Sequence, residues 1–139
     1  MTARFFKSRA MTVAVLLVVP ASAALALQPG DAKRGEAIYE RCMACHSLEY
    51  NRTGPRHCGL IGRKAGSVPD FDYSDAMKNS GITWTPEALD KFLKKPTEAV
   101  PGTIMTYDGV RDDQERADLI AYLVYANGSK ELCPKQAPN

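Results

Sequence analysis

The sequence predicts a small, loop-rich, all-α domain, and three observations carry that expectation. Helix-start signals stand at Asp31, at Thr85-Pro86-Glu87 and at Asp112. No segment sustains the period-two alternation of a strand, and there is no internal repeat. The stretches between the helical segments are long for a compact domain, and helices so few and so far apart make a poor core unless the loops wrap a central filler.

The 139 residues are of single-domain size, and the first 26 are not expected to count towards that domain. Arg4, Lys7 and Arg9 form a positive start, Met11 to Val19 an apolar run, and Ala24-Leu25-Ala26 a small-residue pattern suited to cleavage, so residues 1–26 read as a secretory signal peptide. An uncleaved anchor is the rival reading, but the apolar run is short for a bilayer and Pro20 interrupts it. Cleavage after Ala26 leaves a domain of residues 27–139, with its helical part over about 30–128 and a tail over 129–139.

Asp31 is the expected cap of a first helix running into Cys42, with Ala32, Ile38 and Tyr39 available to an inward face. Gly35 lies inside it at a cost of about 1 kcal/mol relative to Ala, which close packing against another helix would explain. From Ser47 to Pro69 no period is sustained, and the chain reads as loop. Ser74 or Asp75 starts a short helix ending near Gly81. Thr85 caps the next, with Pro86 at its first position, Glu87 near the positive dipole end, Leu89, Phe92 and Leu93 facing inward, and Pro96 as its stop. A second loop is expected over 97–111. The last helix begins at Asp112, with Glu115 at capping-box spacing and Leu119, Ile120, Tyr122 and Leu123 on its core side, and stops at Asn127-Gly128. The tail to Asn139 is polar and contains proline, and is expected to be mobile unless Cys133 ties it down.

The chemistry centres on Cys42-Met43-Ala44-Cys45-His46, a C-x-x-C-H run with the spacing of covalent c-type haem attachment. Two thiols can add across the porphyrin vinyl groups, and the histidine beside them can bind the iron. Two rival readings exist: half of a zinc site completed by His57 and Cys58, or a redox dithiol. The dithiol gives His46 no role, and zinc duplicates a ligand awkwardly. Cys58 and Cys133 remain, and in an exported chain that even remainder favours a disulfide between them.

Three of the 18 Lys and Arg residues lie in the leading segment, leaving 15 against 16 Asp and Glu, so the apparent basicity belongs to targeting. Nothing on the remaining chain supports nucleic-acid binding. If His46 binds an iron, one axial position remains for His57, Met43, Met77 or Met105. Met43 lies inside the attachment run, Met77 in a short helix, and Met105 on a distant loop after a stiff Pro-Gly turn.

The run Thr53-Gly54-Pro55-Arg56-His57-Cys58-Gly59-Leu60-Ile61-Gly62-Arg63-Lys64-Ala65-Gly66 resembles the post-haem loop of class I cytochromes c, the soluble mitochondrial and bacterial electron carriers. Phe71-Asp72-Tyr73-Ser74-Asp75-Ala76, Gly81-Ile82-Thr83-Trp84, Pro101-Gly102-Thr103-Ile104-Met105 and Asp118-Leu119-Ile120-Ala121-Tyr122-Leu123 are similar to that family in the same order. The resemblance spans roughly Gly30 to Gly128. It implies a small cytochrome c fold wrapped around one covalent haem c, with Cys42 and Cys45 in thioethers and His46 and Met105 as axial ligands. It further implies that the Pro55 carbonyl orients His46, that Arg63, Tyr73 and Trp84 surround the haem propionates, that Thr103 belongs to the haem-binding loop of Met105, and that Gly35 and Tyr39 meet Tyr122 where the first and last helices cross.

Five positions depart from the family pattern. Phe92 replaces a tyrosine and Met77 an asparagine in a polar network near the methionine. Thr97, Glu98 and Ile104 stand where lysines are common, leaving Arg41, Lys94 and Lys95, with Lys33, to form the basic docking ring. The expectation is therefore a monomeric periplasmic one-electron carrier between a dehydrogenase or reductase and an oxidase or other acceptor, not an enzyme. A haem peroxidase or small-ligand sensor with a labile Met105 is the alternative that Phe92 motivates.

Overall fold

In the computed structural model, residues 28–134 are described. The expected signal peptide at 1–26 and the end of the tail lie outside them. Five helices follow one another: α1 (Ala32–Tyr39), α2 (Asp75–Lys78), α3 (Pro86–Lys94), α4 (Pro96–Ala99) and α5 (Asp113–Gly128). Among the described residues there is no strand, only an isolated bridge between Lys64 and Thr83. None of these helices is long and apolar enough to cross a membrane.

The helix starts follow from side-chain caps that satisfy otherwise unpaired amide groups. Asp31 accepts from the backbone N–H of Arg34, Ser74 from that of Met77, Thr85 from that of Ala88, and Asp112 from that of Glu115. Two ends differ from expectation. α1 stops at Tyr39 rather than Cys42, and tighter turns carry the chain onward, with the N–H of Cys42 bonded to the Tyr39 carbonyl at 2.8 Å and that of His46 to the Cys42 carbonyl at 2.9 Å. Pro96 ends α3 but also opens α4, because a proline at the first helical position loses no hydrogen bond and already has a helical φ.

The core is built where α1 crosses α5. Ile38 and Tyr39 pack with Leu119, Tyr122 and Leu123, and Leu89, Phe92 and Leu93 of α3 join them. Gly35 makes the crossing possible: a Cβ there would lie 1.9 Å from the carbonyl oxygen of Asp118 and 2.8 Å from the Cβ of Tyr122. The start of α1 is tied to the same helix by a buried carboxylate. Asp118 accepts from Arg34 at 2.7 and 2.9 Å and from the backbone N–H of Asp31 at 2.8 Å.

The long loop after His46 is pinned at several points. Asn127, buried near the end of α5, accepts from the N–H of Leu60 at 2.8 Å and donates to the carbonyl of Leu123. Cys58 and Cys133 form a disulfide, with Cα atoms 5.4 Å apart, which fastens the segment after α5 to this loop. Arg116 is buried and bonds Asp90 of α3, Asp113 and the Val110 carbonyl, closing α5 against the α3 side.

Candidate functional site

Between these elements lies a cavity of about 610 Å³, within the range usual for cofactor sites. Cys42, Cys45 and His46 line it from the turn that follows α1, Pro55 and Arg63 from the long loop, and Tyr73 and Trp84 from the segments around α2. Thr103 and Met105 line it from the loop after α4. Every residue singled out in the sequence as cofactor-binding therefore borders one space, although they span more than sixty positions of chain.

The histidine is held from three sides. Its Nδ1–H donates to the Pro55 carbonyl at 2.7 Å, which leaves Nε2 as the lone-pair nitrogen. Gly54 lies flat against the ring: a Cβ there would come within 2.4 Å of the imidazole. His57 stacks on it, ring centroids 4.3 Å apart and planes 21° from parallel, while the Nδ1 of His57 shares a 3.0 Å hydrogen bond with the Tyr39 hydroxyl. Burial lowers the pKa of both imidazoles, His57 well below its usual range, so both are neutral near pH 7, the form in which a histidine binds a metal.

The thiols behave unlike a redox pair. Burial pushes Cys42 up to about 11, whereas a reactive C-x-x-C needs a lowered value, and the motif follows a helix rather than leading from a strand into one. Cys42 and Cys45 are not bonded to each other. The zinc alternative meets its own obstacle, since Cys58 is committed to the disulfide. Among the described residues no three His, Cys, Asp or Glu side chains converge as a metal ion would require.

The lining fits a c-type haem on the chemistry of its groups. It offers two thiols at attachment spacing, a neutral oriented imidazole, a thioether, and apolar walls from Leu60, Leu89, Phe92 and Leu123. It also holds a cation in want of an anion. The Arg63 guanidinium borders the cavity, donates only to the carbonyls of Cys58 at 3.1 Å and Arg56 at 2.9 Å, and has no carboxylate partner among the described residues. Burial lowers its pKa, and a buried cation of this kind is stabilised by a carboxylate such as a haem propionate. Trp84 is fixed beside it by the bond from its backbone N–H to the Arg63 carbonyl at 2.9 Å.

The four candidates for a second axial ligand separate on position. Met43 is 51 % exposed and does not line the cavity. His57 sits on His46, with one ring nitrogen engaged by Tyr39. Met77 and Met105 both line the space; Met77 is buried in α2, and Met105 is half-buried, its N–H bonded to the Thr103 hydroxyl at 3.2 Å. Phe92 and Met77 present only apolar atoms there, and Phe92 packs on Trp84 with ring centroids 5.0 Å apart.

Two contacts on the imidazole were not anticipated from the sequence. Gly54 was part of a loop run with nothing to announce its contact with the imidazole. His57, weighed there as a zinc or axial ligand, is instead a half-buried neighbour stacked on His46. Only a histidine that breaks an otherwise apolar stretch hints at such a role, and the loop has no period against which to notice it.

Comparison with known proteins bears on the whole domain. A family model for cytochrome c matches residues 32–127. The chain is 41% identical over 123 residues to cytochrome c2 of Rhodomicrobium vannielii, covering 86% of this chain and 98% of that protein. It is 45% identical over 121 residues to cytochrome c2 of Blastochloris viridis, covering 84% and 94% respectively. Among solved structures, cytochrome cH from Methylobacterium extorquens superposes with a TM-score of 0.67 at 42% identity, over 69% of this chain and 99% of that one.

Proposed function

Because the chain belongs to the cytochrome c family, a group of electron carriers with one covalent haem c, we propose that it serves as a periplasmic one-electron carrier with His46 and Met105 as axial ligands. The observation that carries this reading is the imidazole of His46, neutral, locked by Pro55, and bordering the same cavity as the Cys42 and Cys45 thiols and the Met105 thioether. Bound there through thioethers to Cys42 and Cys45, the haem supplies one reversible electron through its Fe(II)/Fe(III) couple.

The remaining work falls to the protein. Pro55, Gly54 and His57 fix the imidazole plane, and the bond to Pro55 makes Nε2 a better donor. Arg63, with Tyr73 and Trp84 bordering the same space, would balance the charge of the haem propionates. The bond from the Met105 N–H to the Thr103 hydroxyl, at 3.2 Å, helps set the loop that presents the thioether. With His46 and Met105 both bound to the iron, no position would be left open for a substrate, which suits a carrier rather than an enzyme. Its partners are a periplasmic donor and acceptor of electrons, met as a monomer, and residues 1–26 direct its export.

The test is a redox titration of purified holoprotein together with exposure of the reduced form to carbon monoxide. The expected results are haem that stays attached through denaturation, a one-electron Nernst curve, and no rapid carbon monoxide binding. Haem released on unfolding would remove the attachment. Immediate carbon monoxide binding by the native ferrous protein would favour the sensor or peroxidase reading.

A further inference from the structure

We infer that the mouth of the cavity is a charge-poor docking face for a redox protein whose own contact patch is apolar, and that the two meet without electrostatic steering. The inference rests on the electron-carrier reading above and adds the kind of partner. The lining residues exposed to solvent are Arg41, Ala44, Cys45, Thr53, Ile104 and Thr106. A single charge stands among them, and it is already matched: the Arg41 guanidinium donates to both carboxylate oxygens of Glu115, at 2.8 and 2.9 Å. Ile104 projects from the same rim, 61 % exposed.

Two of the neighbouring cations are matched as well. Lys94 and Lys95 follow the lining residues Phe92 and Leu93, and Lys94 pairs with Asp113 at 3.7 Å while Lys95 pairs with Glu98. Arg52, next to Thr53, donates to the carbonyl of Met43, and no carboxylate pairs with it among the described residues. Asp108, next to the lining residue Tyr107, carries the opposite charge and has no ion pair among the described residues. Over Arg41, Lys94, Lys95 and Arg52 on one side and Glu115, Asp113, Glu98 and Asp108 on the other, the charges cancel.

A closed ion pair presents a dipole, whose field falls off faster than that of a net charge and is screened further by salt. Such a face cannot raise the encounter rate with a charged partner. A partner that brought its own charged ring would lose hydration on contact without gaining a counter-charge. The surface that complements an uncharged rim with a projecting isoleucine is another apolar, uncharged one. A convenient example is the same mouth on a second copy, because two rims with no net charge do not repel.

Electron self-exchange between reduced and oxidised holoprotein is therefore the probe, measured by NMR line broadening in mixed solutions from about 0.01 to 1 M salt, where the screening length runs from roughly 30 to 3 Å. Ile104→Lys and Glu115→Gln each place an unmatched cation at the rim, and spectrum and potential are recorded for both. The expected result is a wild-type rate that changes less than about twofold over the series, and variant rates about two- to fivefold lower at low salt that recover at high salt, the size one unmatched charge on each face produces in water. A wild-type rate that climbs steeply with salt would overturn the charge-poor face. So would variants with the wild-type salt response, since exchange would then run through another surface. Should neither variant fold, the wild-type series alone decides. Intact haem protein that exchanges no electrons at any salt would instead overturn the carrier reading, and the docking face with it.

Discussion

Gly35→Ala is the most informative single substitution, because two opposing effects of known size meet there. An added Cβ would lie 1.9 Å from the Asp118 carbonyl oxygen, 2.6 Å from its carbon and 2.8 Å from the Tyr122 Cβ. Both Asp118 atoms belong to helix backbone and cannot swing aside. A tolerable contact needs about 3.0 Å or more, so α1 must retreat from α5 by on the order of 1 Å. Overpacking of this kind costs about 1–3 kcal/mol, and a rigid obstacle puts it at the upper end. Alanine returns about 1 kcal/mol through helix propensity. The net loss is about 2 kcal/mol, or a fall in melting temperature of roughly 8–12 °C for a domain near 100 residues. Since α1 leads directly into Cys42, the cavity wall would move with it. Guanidinium unfolding of the holoprotein followed by far-UV circular dichroism measures the effect. A variant as stable as the wild type, or more stable, would show that propensity outweighs a crossing looser than the one described, and the packing argument would fail.

Two further predictions concern what holds the domain shut. The Cys58–Cys133 bridge closes a sequence separation of 75, so a double Cys→Ser variant should lose about 4–5 kcal/mol in the chain-entropy picture; an unchanged denaturant midpoint at unchanged m would refute it. Asp118 is held at about 2, chiefly by its hydrogen bond from Arg34 and further by the Asp31 amide and Gln114. Its unfolded value is near 3.9, so its contribution is complete above about pH 4 and is lost as the pH falls towards 2. Asp118→Asn should therefore flatten the acid limb of a stability-against-pH curve, and an acid limb as steep as in the wild type would assign it to other carboxylates.

Much of this architecture is legible in the sequence because its signals are local. The caps Asp31, Ser74, Thr85 and Asp112 are each recognisable from a few neighbouring residues, and each accepts the amide bond that position requires. Gly35 could be read because a helix-interior glycine is costly and needs a reason. Pro96 was read only as a stop because the same residue type ends one helix and begins another, and the four residues of α4 are too few to show a period. The surroundings of His46 were less legible. Pro55 came from the family resemblance, while Gly54 and His57 act through a fold in the loop that brings residues 8 and 11 positions away against one ring. The neutral rim was beyond reach for the same reason: Arg41 and Glu115 lie 74 residues apart, and composition counts charges without pairing them.

In the proposed carrier, the Met105 thioether completes the iron site begun by His46. The direct measurement is the weak absorbance at the red end of the visible spectrum that a thioether–iron(III) bond produces, recorded for oxidised holoprotein at neutral pH. The comparison is between the wild type, Met105→Ala and Met77→Leu, since both methionines border the cavity. The account predicts the band in the wild type and in Met77→Leu, and its loss in Met105→Ala. A wild type without the band, or a Met105→Ala protein that keeps it, would contradict the account.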